Sequence, residues 1–210
     1  MNKLVVDYTL YLITDRVLVG EKDFFQSVRR ALEGGVTLLQ VREKEASSKE
    51  FYETALRLKK LAAEFRVPLI INDRIDVALA IDADGVHIGQ EDLPLDVVRQ
   101  LVGPDKIVGY SASTPEEAIY GEKMGADYLG VGAVYPTGSK KDAGVAIGIT
   151  GLQRVVESVS LPVVGIGGIG TANVKAVKKT GAAGVAVISA VLSQPDTYQA
   201  AKELVDLWRL

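Results

Sequence analysis

Cysteine is absent from this chain of 210 residues, and histidine and tryptophan occur once each. A chain without cysteine has no disulfide, no zinc–thiolate site and no thiol nucleophile, and this composition suits a reducing compartment. An excess of positive charge is also missing, since 24 lysines and arginines face 27 aspartates and glutamates. The net charge of −3 argues against nucleic acid or an anionic membrane as the main partner.

Long apolar runs are lacking as well. No stretch is long enough to cross a bilayer, and the N-terminal residues MNKLVVDYTLYLITD do not have the cleavage pattern of a secretory signal. We therefore expect a cytoplasmic protein with no membrane partner. What the chain does have is an apolar fraction of 48%, which over 210 residues is enough for one large core and predicts a single domain.

Short apolar runs alternate with helical patterns along the whole chain. Continuous apolar runs are typical of buried parallel strands. We count about eight strand–helix pairs, which favours an α/β fold of the (β/α)₈ TIM-barrel type, with a doubly wound open sheet as the alternative. The predicted strands are 10–15, 38–42, 69–71, 85–88, 107–111, 128–134, 163–167 and 184–189; the predicted helices are 23–33, 48–65, 75–81, 95–101, one from Thr114-Pro115 onward, 151–158, 171–180 and 197–208.

Acidic residues follow two consecutive predicted strands, Asp73 after 69–71 and Asp92 after 85–88. Right-handed crossovers place both strand ends on one side of the sheet, so these carboxylates should lie close together. Two carboxylates in a partly closed site repel each other unless a cation or a shared proton lies between them, and oxygen ligands suit Mg²⁺. Alternatively, Asp73 caps the next helix and Asp92 precedes a helix that starts near Pro94. The spacing alone does not decide between these interpretations.

A polar and charged segment, QVREK, ends the second predicted strand at residues 40–44. Gln40 and Arg42 alternate within the strand, so both side chains should face the barrel interior or its mouth. A solvated strand end with a local salt bridge is the other interpretation of this charged cluster. We favour a functional role, because Gln40 occupies the interior register just before the charges.

Glycines mark a candidate phosphate site in the sequence GIGGIGT at 165–171. The segment joins a strand end to a helix start, and its glycines allow backbone amides to approach an anion closely. Barrels often bind phosphate after their seventh and eighth strands, where Ile188 and Ser189 also lie. Glycine also allows tight strand–helix packing, so the motif alone is weak evidence for a phosphate site. Its position after the seventh strand makes the evidence stronger.

A second anion site is predicted in the loop at 136–142, where two hydroxyls, a glycine and Lys140 suit a diphosphate. A flexible solvated loop has the same composition.

The single histidine, His87, lies within a predicted strand, and we expect a hydrogen-bonded structural residue rather than a catalytic base. Together the strand ends supply two carboxylates, several cations and phosphate cradles, an inventory that describes diphosphate chemistry.

Five motifs in order along the chain resemble those of the thiamine-phosphate synthase family. They are LYLITD at 10–15, QVREK at 40–44, INDR at 71–74 with GQEDLP at 89–94, YPTGSK at 135–140, and GIGGI at 165–169 with VISA at 187–190. The motifs span nearly the whole chain, and their combination is highly specific. The resemblance implies one barrel domain over residues 1–210.

The resemblance also implies an activity and a set of site residues. The enzyme would join the diphosphate of 4-amino-5-hydroxymethyl-2-methylpyrimidine to a thiazole phosphate and release pyrophosphate, with Mg²⁺ on Asp73 and Asp92. The implied pyrimidine diphosphate ligands are Gln40, Val41, Arg42, Glu43, Lys44, Asn72, Ser111 and Lys140; those of the thiazole phosphate are Thr137, Gly138, Ser139, Gly168, Ile188 and Ser189; and Arg42, Lys44, Ser111 and Lys140 are expected to act in catalysis.

The family's reaction is expected to be dissociative. Departure of pyrophosphate would leave a pyrimidine-stabilised methylene cation, which the thiazole nitrogen captures, so no protein nucleophile is needed. The sequence leaves open whether the thiazole carries an extra carboxylate and whether the chain forms a homodimer.

Two positions depart from the family pattern. Relatives often have Ser-x-His-Thr after the fifth strand, where this chain has the sequence SAST at 111–114. This difference argues against a role for an imidazole near Ser111. Relatives also often have Gly-Pro where this chain has Gly132-Ala133.

Two other functions are compatible with the same barrel. A thiazole tautomerase resembles the synthase but needs neither a metal nor a diphosphate, so the carboxylates and the motif at 137–140 argue against it. A non-catalytic sensor that binds a phosphorylated ligand belongs to a different class, and it would leave Asp73 and Asp92 unexplained.

Overall fold

The computed structural model describes residues 5–139 and 145–210. Its eight strands are all parallel, each pairs with the next along the chain, and the last pairs with the first, so the sheet closes into a barrel. The strands are β1 (Leu10–Ile13), β2 (Leu38–Val41), β3 (Leu69–Asn72), β4 (Gly85–Ile88), β5 (Ile107–Ala112), β6 (Tyr128–Val131), β7 (Val163–Ile166) and β8 (Gly184–Val187). The predicted (β/α)₈ barrel is confirmed, and the open sheet is wrong.

Helices follow the strands and cover the outside of the barrel. Within the described residues, none has the length and apolar character needed to cross a bilayer. They are α1 (Arg16–Val19), α2 (Phe24–Glu33), α3 (Ser48–Glu64), α4 (Ile75–Ala80), α5 (Leu95–Val102), α6 (Pro115–Lys123), α7 (Gly148–Ser158), α8 (Val174–Lys178), α9 (Ser189–Leu192) and α10 (Thr197–Arg209).

Local chemistry explains where the longer helices begin. Thr114 caps α6 by accepting a hydrogen bond from the amide of Glu117, whose carboxylate accepts one from the Thr114 amide in return. Pro115 takes the first helical position, where no amide hydrogen is needed. Ser47 and Glu50 form the same reciprocal cap on α3. Each cap satisfies two amides that the helix itself leaves without a partner.

Strand register decides which side chains reach the interior of the barrel. Consecutive residues of a strand face opposite sides of the sheet. In β1, Leu10 and Leu12 pack in the layer between strands and helices, whereas Tyr11 and Ile13 face inward. Gln40 is inward in β2 by the same alternation, and it is 2% exposed.

Some predicted boundaries are wrong. The strand predicted at 128–134 ends at Val131, where the chain bends closely over β7; a Cβ on Gly132 would lie 2.1 Å from the carbonyl oxygen of Ile166. The helix predicted at 171–180 is confined to α8, because Asn173 binds the preceding turn by accepting a hydrogen bond from the Gly170 amide at 2.9 Å. The short helices α1 and α9 were not predicted at all.

Candidate active site

A cavity of about 1000 Å³ opens at the carboxyl ends of the strands. This end is where barrel enzymes carry their chemistry, because the loops after all eight strands meet there. The side chains or backbone of most residues proposed from sequence line the cavity: Gln40, Arg42, Lys44, Asn72, Asp73, Asp92, Ser111, Thr137, Gly138, Ser139, Gly168, Ile188 and Ser189. Lys140 lies outside the described residues.

The carboxylates of Asp73 and Asp92 meet in this cavity, within hydrogen-bonding reach of each other. Burial raises the pKa of the Asp92 carboxyl above its usual value, and the charge of Asp73 raises it further. The amide of Gly89 opposes this shift by donating to Asp92 at 2.7 Å. Lys44 donates to Asp73 at 2.6 Å, so a cation already compensates one of the two charges.

Asp73 does not cap a helix, so that alternative interpretation is wrong, whereas Asp92 does precede a helix that starts near Pro94, as its alternative interpretation had it. The helix α4 begins after Arg74 and α5 after Pro94, and neither helix has a side-chain cap. Asp73 also has a φ of 59°, in the left-handed region that few residues other than glycine adopt. Strained backbone of this kind concentrates at functional sites.

The end of β2 divides its side chains between the cavity and the outer layer. Arg42 faces the cavity, and its guanidinium lies 3.6 Å from the carboxylate of Asp15. Its amide donates to Thr14 at 3.1 Å, which fixes the strand end against β1. Gln40 donates from Nε2 to the hydroxyl of Tyr11 at 2.5 Å.

Val41 and Glu43 are not among the residues that line the cavity, and their binding of the pyrimidine diphosphate stays a prediction. Val41 points into the layer between strands and helices, since it alternates with Gln40. Glu43 turns toward α1 and α3 and pairs with Arg16 at 2.7 Å. Burial raises the pKa of the Glu43 carboxyl, and the charge of Arg16 works against that rise.

An imidazole does lie beside Ser111, although this chain lacks the histidine that relatives often have two residues after that serine. It comes from β4: the Nε2 atom of His87 is 3.0 Å from the Ser111 hydroxyl, and Nδ1 is 2.9 Å from the hydroxyl of Tyr128. The prediction that His87 is hydrogen-bonded is confirmed. Sequence reasoning missed that it lines the cavity. The inward register of β4, β5 and β6 was the signal that could have found this contact.

The two predicted anion sites form one surface. The hydroxyl of Ser139 donates to that of Ser189 at 3.1 Å, which joins the loop after β6 to the loop after β8. Between them lies the glycine turn, where Gly167 and Gly168 both have positive φ. A Cβ on Gly168 would lie 2.7 Å from the carbonyl oxygen of Pro136, so the loop packs directly on the turn.

The donor set suits a magnesium ion better than a softer metal. Within 5–139 and 145–210, no group of three or more His, Asp and Glu side chains gathers as a candidate metal cage. Two carboxylates without a cage are what Mg²⁺ uses when substrate phosphates and water complete its coordination. A cation between Asp73 and Asp92 would relieve their mutual repulsion.

These features define an enzyme-type (β/α)₈ barrel whose chemistry lies at the strand ends, in a cavity with paired acids, cations and a glycine turn. A family model described as thiamine monophosphate synthase matches residues 10–191, and the chain belongs to this family. The thiamine-phosphate synthase of Desulfitobacterium hafniense (strain Y51) is 68% identical over 98% of this chain and 100% of that protein. The thiamine-phosphate synthase of Ruminiclostridium cellulolyticum is 51% identical over 98% of each chain.

A solved structure supports the same family assignment. The thiamine phosphate pyrophosphorylase from Pyrococcus furiosus superposes with a TM-score of 0.89 and 48% identity, over 97% of this chain and 96% of that one. The resemblance drawn from the five motifs is therefore confirmed at the level of the family.

Proposed function

We propose that this protein joins the diphosphate of 4-amino-5-hydroxymethyl-2-methylpyrimidine to a thiazole phosphate, forming thiamine phosphate and pyrophosphate. Membership of the family and the names of its relatives support this activity. The observation that carries the residue assignments is the meeting of Asp73 and Asp92 in the cavity that also contains the glycine turn.

Asp73 and Asp92 are proposed to hold Mg²⁺. When bound, the ion neutralises charge on the oxygens of the leaving diphosphate. Lys44 lines the cavity beside this pair, and its 2.6 Å contact with Asp73 is proposed to orient its ammonium group. Because Lys44 is about half exposed, an incoming diphosphate can compete for it.

The pyrimidine diphosphate is proposed to lie along the ends of β2 to β5. Arg42 and Lys44 face its phosphates, and Lys140 belongs to the same proposed set. Gln40, Asn72 and Ser111 face the pyrimidine ring and its first phosphate. All five described residues of this set line the cavity, which supports the assignment.

The thiazole phosphate is proposed to bind on the opposite wall. Ser139 and Ser189 offer hydroxyls from two loops that their 3.1 Å contact brings together. Gly168 has no side chain, so its backbone can approach the phosphate closely. A Cβ at this position would also collide with the loop at Pro136. Thr137, Gly138 and Ile188 complete this wall of the cavity.

The chemistry needs positioning and charge compensation rather than a protein nucleophile. The bond between the pyrimidine methylene carbon and the diphosphate oxygen breaks, and its electron pair leaves with pyrophosphate. The thiazole nitrogen then donates its lone pair to the methylene carbon and forms the new C–N bond. Arg42, Lys44 and Lys140 are proposed to stabilise the departing anion, and the enclosing loops to keep water from the cation.

The direct test incubates purified protein with both substrates and MgCl₂ and detects product by mass spectrometry. A product with the mass of thiamine phosphate, together with equimolar pyrophosphate, supports the proposal. A tautomerase would convert the thiazole phosphate alone and release no pyrophosphate, and a sensor would bind ligand without turnover. Either of these outcomes would overturn the assignment.

A further inference from the structure

Five polar side chains form a continuous hydrogen-bonded chain across the barrel interior. Gln40 donates to Tyr11 at 2.5 Å, the hydroxyls of Tyr11 and Tyr128 are 2.7 Å apart, and His87 links Tyr128 to Ser111 through its two ring nitrogens at 2.9 and 3.0 Å. Gln40 and Ser111, the two ends, line the cavity, as do Tyr11 and His87, whereas the central Tyr128 does not line it and is 0% exposed. We call these five residues the interior chain.

Two glycines make the room that this chain occupies. A Cβ on Gly109 in β5 would lie 2.2 Å from Cζ of Tyr128, and a Cβ on Gly130 in β6 would lie 3.0 Å from Cε1 of His87. Any other residue at 109 would therefore displace the phenol or the imidazole. Strands β4 to β6 thus combine two large polar side chains, those of His87 and Tyr128, with two glycines that leave space for them.

The donor at one end sets the direction of the whole chain. Because Gln40 donates to Tyr11, the Tyr11 oxygen is an acceptor there and its own hydrogen must point elsewhere. The other hydrogen-bond partner of Tyr11 is the Tyr128 oxygen at 2.7 Å, and leaving a buried phenol hydrogen without an acceptor would be costly. Tyr128 then donates to Nδ1 of His87.

A neutral imidazole that accepts at Nδ1 carries its hydrogen at Nε2. Nε2 of His87 therefore donates to the Ser111 oxygen, which leaves the Ser111 hydrogen free to point into the cavity. At the other end, Gln40 uses its nitrogen inside the barrel, so its carbonyl oxygen is turned to the cavity. Hydrogen bonds aligned in one direction also strengthen one another.

We propose that Tyr128, acting through His87, is a positioning residue that fixes the Ser111 hydroxyl as a hydrogen-bond donor to the substrate while Gln40 is fixed as an acceptor. An aminopyrimidine edge, with an amino donor beside a ring nitrogen acceptor, matches this pair. The match rests on the proposed function, whereas the tautomer of His87 follows from the interior chain alone.

The single histidine makes the tautomer directly measurable. Protein labelled with nitrogen-15 histidine gives one imidazole, so a long-range nitrogen–proton NMR spectrum of the substrate-free protein has one spin system to assign. We expect hydrogen on Nε2 and a non-protonated Nδ1. Hydrogen on Nδ1, or on both nitrogens, would overturn the proposal, because the chain would then run in the opposite direction or be broken.

Tyr128→Phe removes the central hydroxyl and keeps the ring. We expect loss of the single tautomer in the spectrum, a fall of about tenfold in kcat/KM for the pyrimidine diphosphate, and a KM for the thiazole phosphate within about twofold of the original. The matched control is Tyr8→Phe, because the ring of Tyr8 packs 5.1 Å from that of Tyr128 while its hydroxyl is not part of the interior chain. This control is expected to keep both the spectrum and the kinetics.

Three kinetic outcomes would overturn the proposal: no change in Tyr128→Phe, equal losses in both variants, or a loss confined to the thiazole phosphate. Circular dichroism of each variant would reveal a folding defect. The NMR spectrum of the unaltered protein would still decide the tautomer if a variant failed to fold. If the unaltered protein forms no thiamine phosphate, the proposed function fails, yet the NMR result stands independently.

Discussion

Asp73 concentrates several unusual properties in one residue. Its backbone is left-handed, its carboxylate pairs with Lys44, and the carboxylate of Asp92 lies within hydrogen-bonding reach. Two acids in such proximity destabilise each other unless a positive charge intervenes. The proposed function accounts for this arrangement, because a divalent cation and a diphosphate would complete the charge balance of the site.

At the residue scale, replacing either acid tests this balance. Asp73→Asn and Asp92→Asn each keep the side-chain shape and remove a charge, so we expect kcat to fall about 100-fold or more. Binding of thiazole phosphate, measured by calorimetry, should stay within about threefold, since its proposed contacts lie on the other wall. Asp96→Asn is the control, because Asp96 is exposed in the first turn of α5 and does not line the cavity.

A control that lost as much activity as the two site variants would point to a general charge effect. Loss of thiazole phosphate binding in Asp73→Asn would likewise contradict separate binding regions for the two substrates.

The residues of the site were predictable where topology alone brings them together. Asp73 and Asp92 follow strands joined by one crossover, and the fixed handedness of that connection puts their ends side by side. The pairing of His87 with Ser111 was not predictable in this way, because it depends on the space left by Gly109 and Gly130. Glu43 was included because of the family motif and not because of its strand register, and its side chain pairs with Arg16 outside the cavity.

At the scale of elements, the glycine turn after β7 connects backbone geometry to ligand binding. Gly168 has a φ of 64° and sits against the loop at Pro136, whereas Gly148 has a φ of 67° with open space around it. An alanine at Gly148 would meet only the cost of a left-handed backbone. An alanine at Gly168 would meet that cost and a collision with the loop at Pro136 as well.

We expect Gly148→Ala to lower the free energy of unfolding by about 1–2 kcal/mol, the cost of a left-handed alanine. Gly168→Ala should lose more than that and should also weaken thiazole phosphate binding about tenfold, since the loop must move away from the turn. Urea unfolding and calorimetry measure the two effects. Equal ligand affinity in both variants would contradict a role for the close approach at Gly168.

Elements were predictable when their pattern was long enough. Thr114-Pro115 predicted the start of α6, a serine at 47 or 48 predicted that of α3, and continuous apolar runs predicted the eight strands. The short helices α1 and α9 have four residues each, which is too few for an amphipathic period to appear. The end of β6 depended on contact with β7, which no local pattern contains.

At the scale of the whole molecule, one core lies between the strands and the helices and supports every strand end. Leu58 in α3 is completely buried in this layer, whereas Lys60 in the same helix is exposed. We expect Leu58→Ala to lower the free energy of unfolding by about 2–5 kcal/mol because it leaves a cavity. Lys60→Ala should change it by less than about 0.5 kcal/mol. Urea denaturation followed by circular dichroism compares them, and similar values would contradict a tightly packed outer layer.

The barrel is what turns distant sequence motifs into one site. The pairing of β7 with both β6 and β8 brings the loops at Ser139 and Ser189 into contact, and these loops line the same cavity as the acids. The proposed function depends above all on an acid pair that holds a cation able to compensate the leaving diphosphate.

The most direct measurement of this claim is thiamine phosphate formation as a function of added MgCl₂ after chelation of all divalent ions, in the unaltered protein and in the Asp73→Asn, Asp92→Asn double variant. We expect that product formation in the unaltered protein requires Mg²⁺ and saturates with it, and that the double variant forms almost no product at the same concentrations. Undiminished product formation in the presence of chelator, or in the double variant, would contradict a cation held by Asp73 and Asp92.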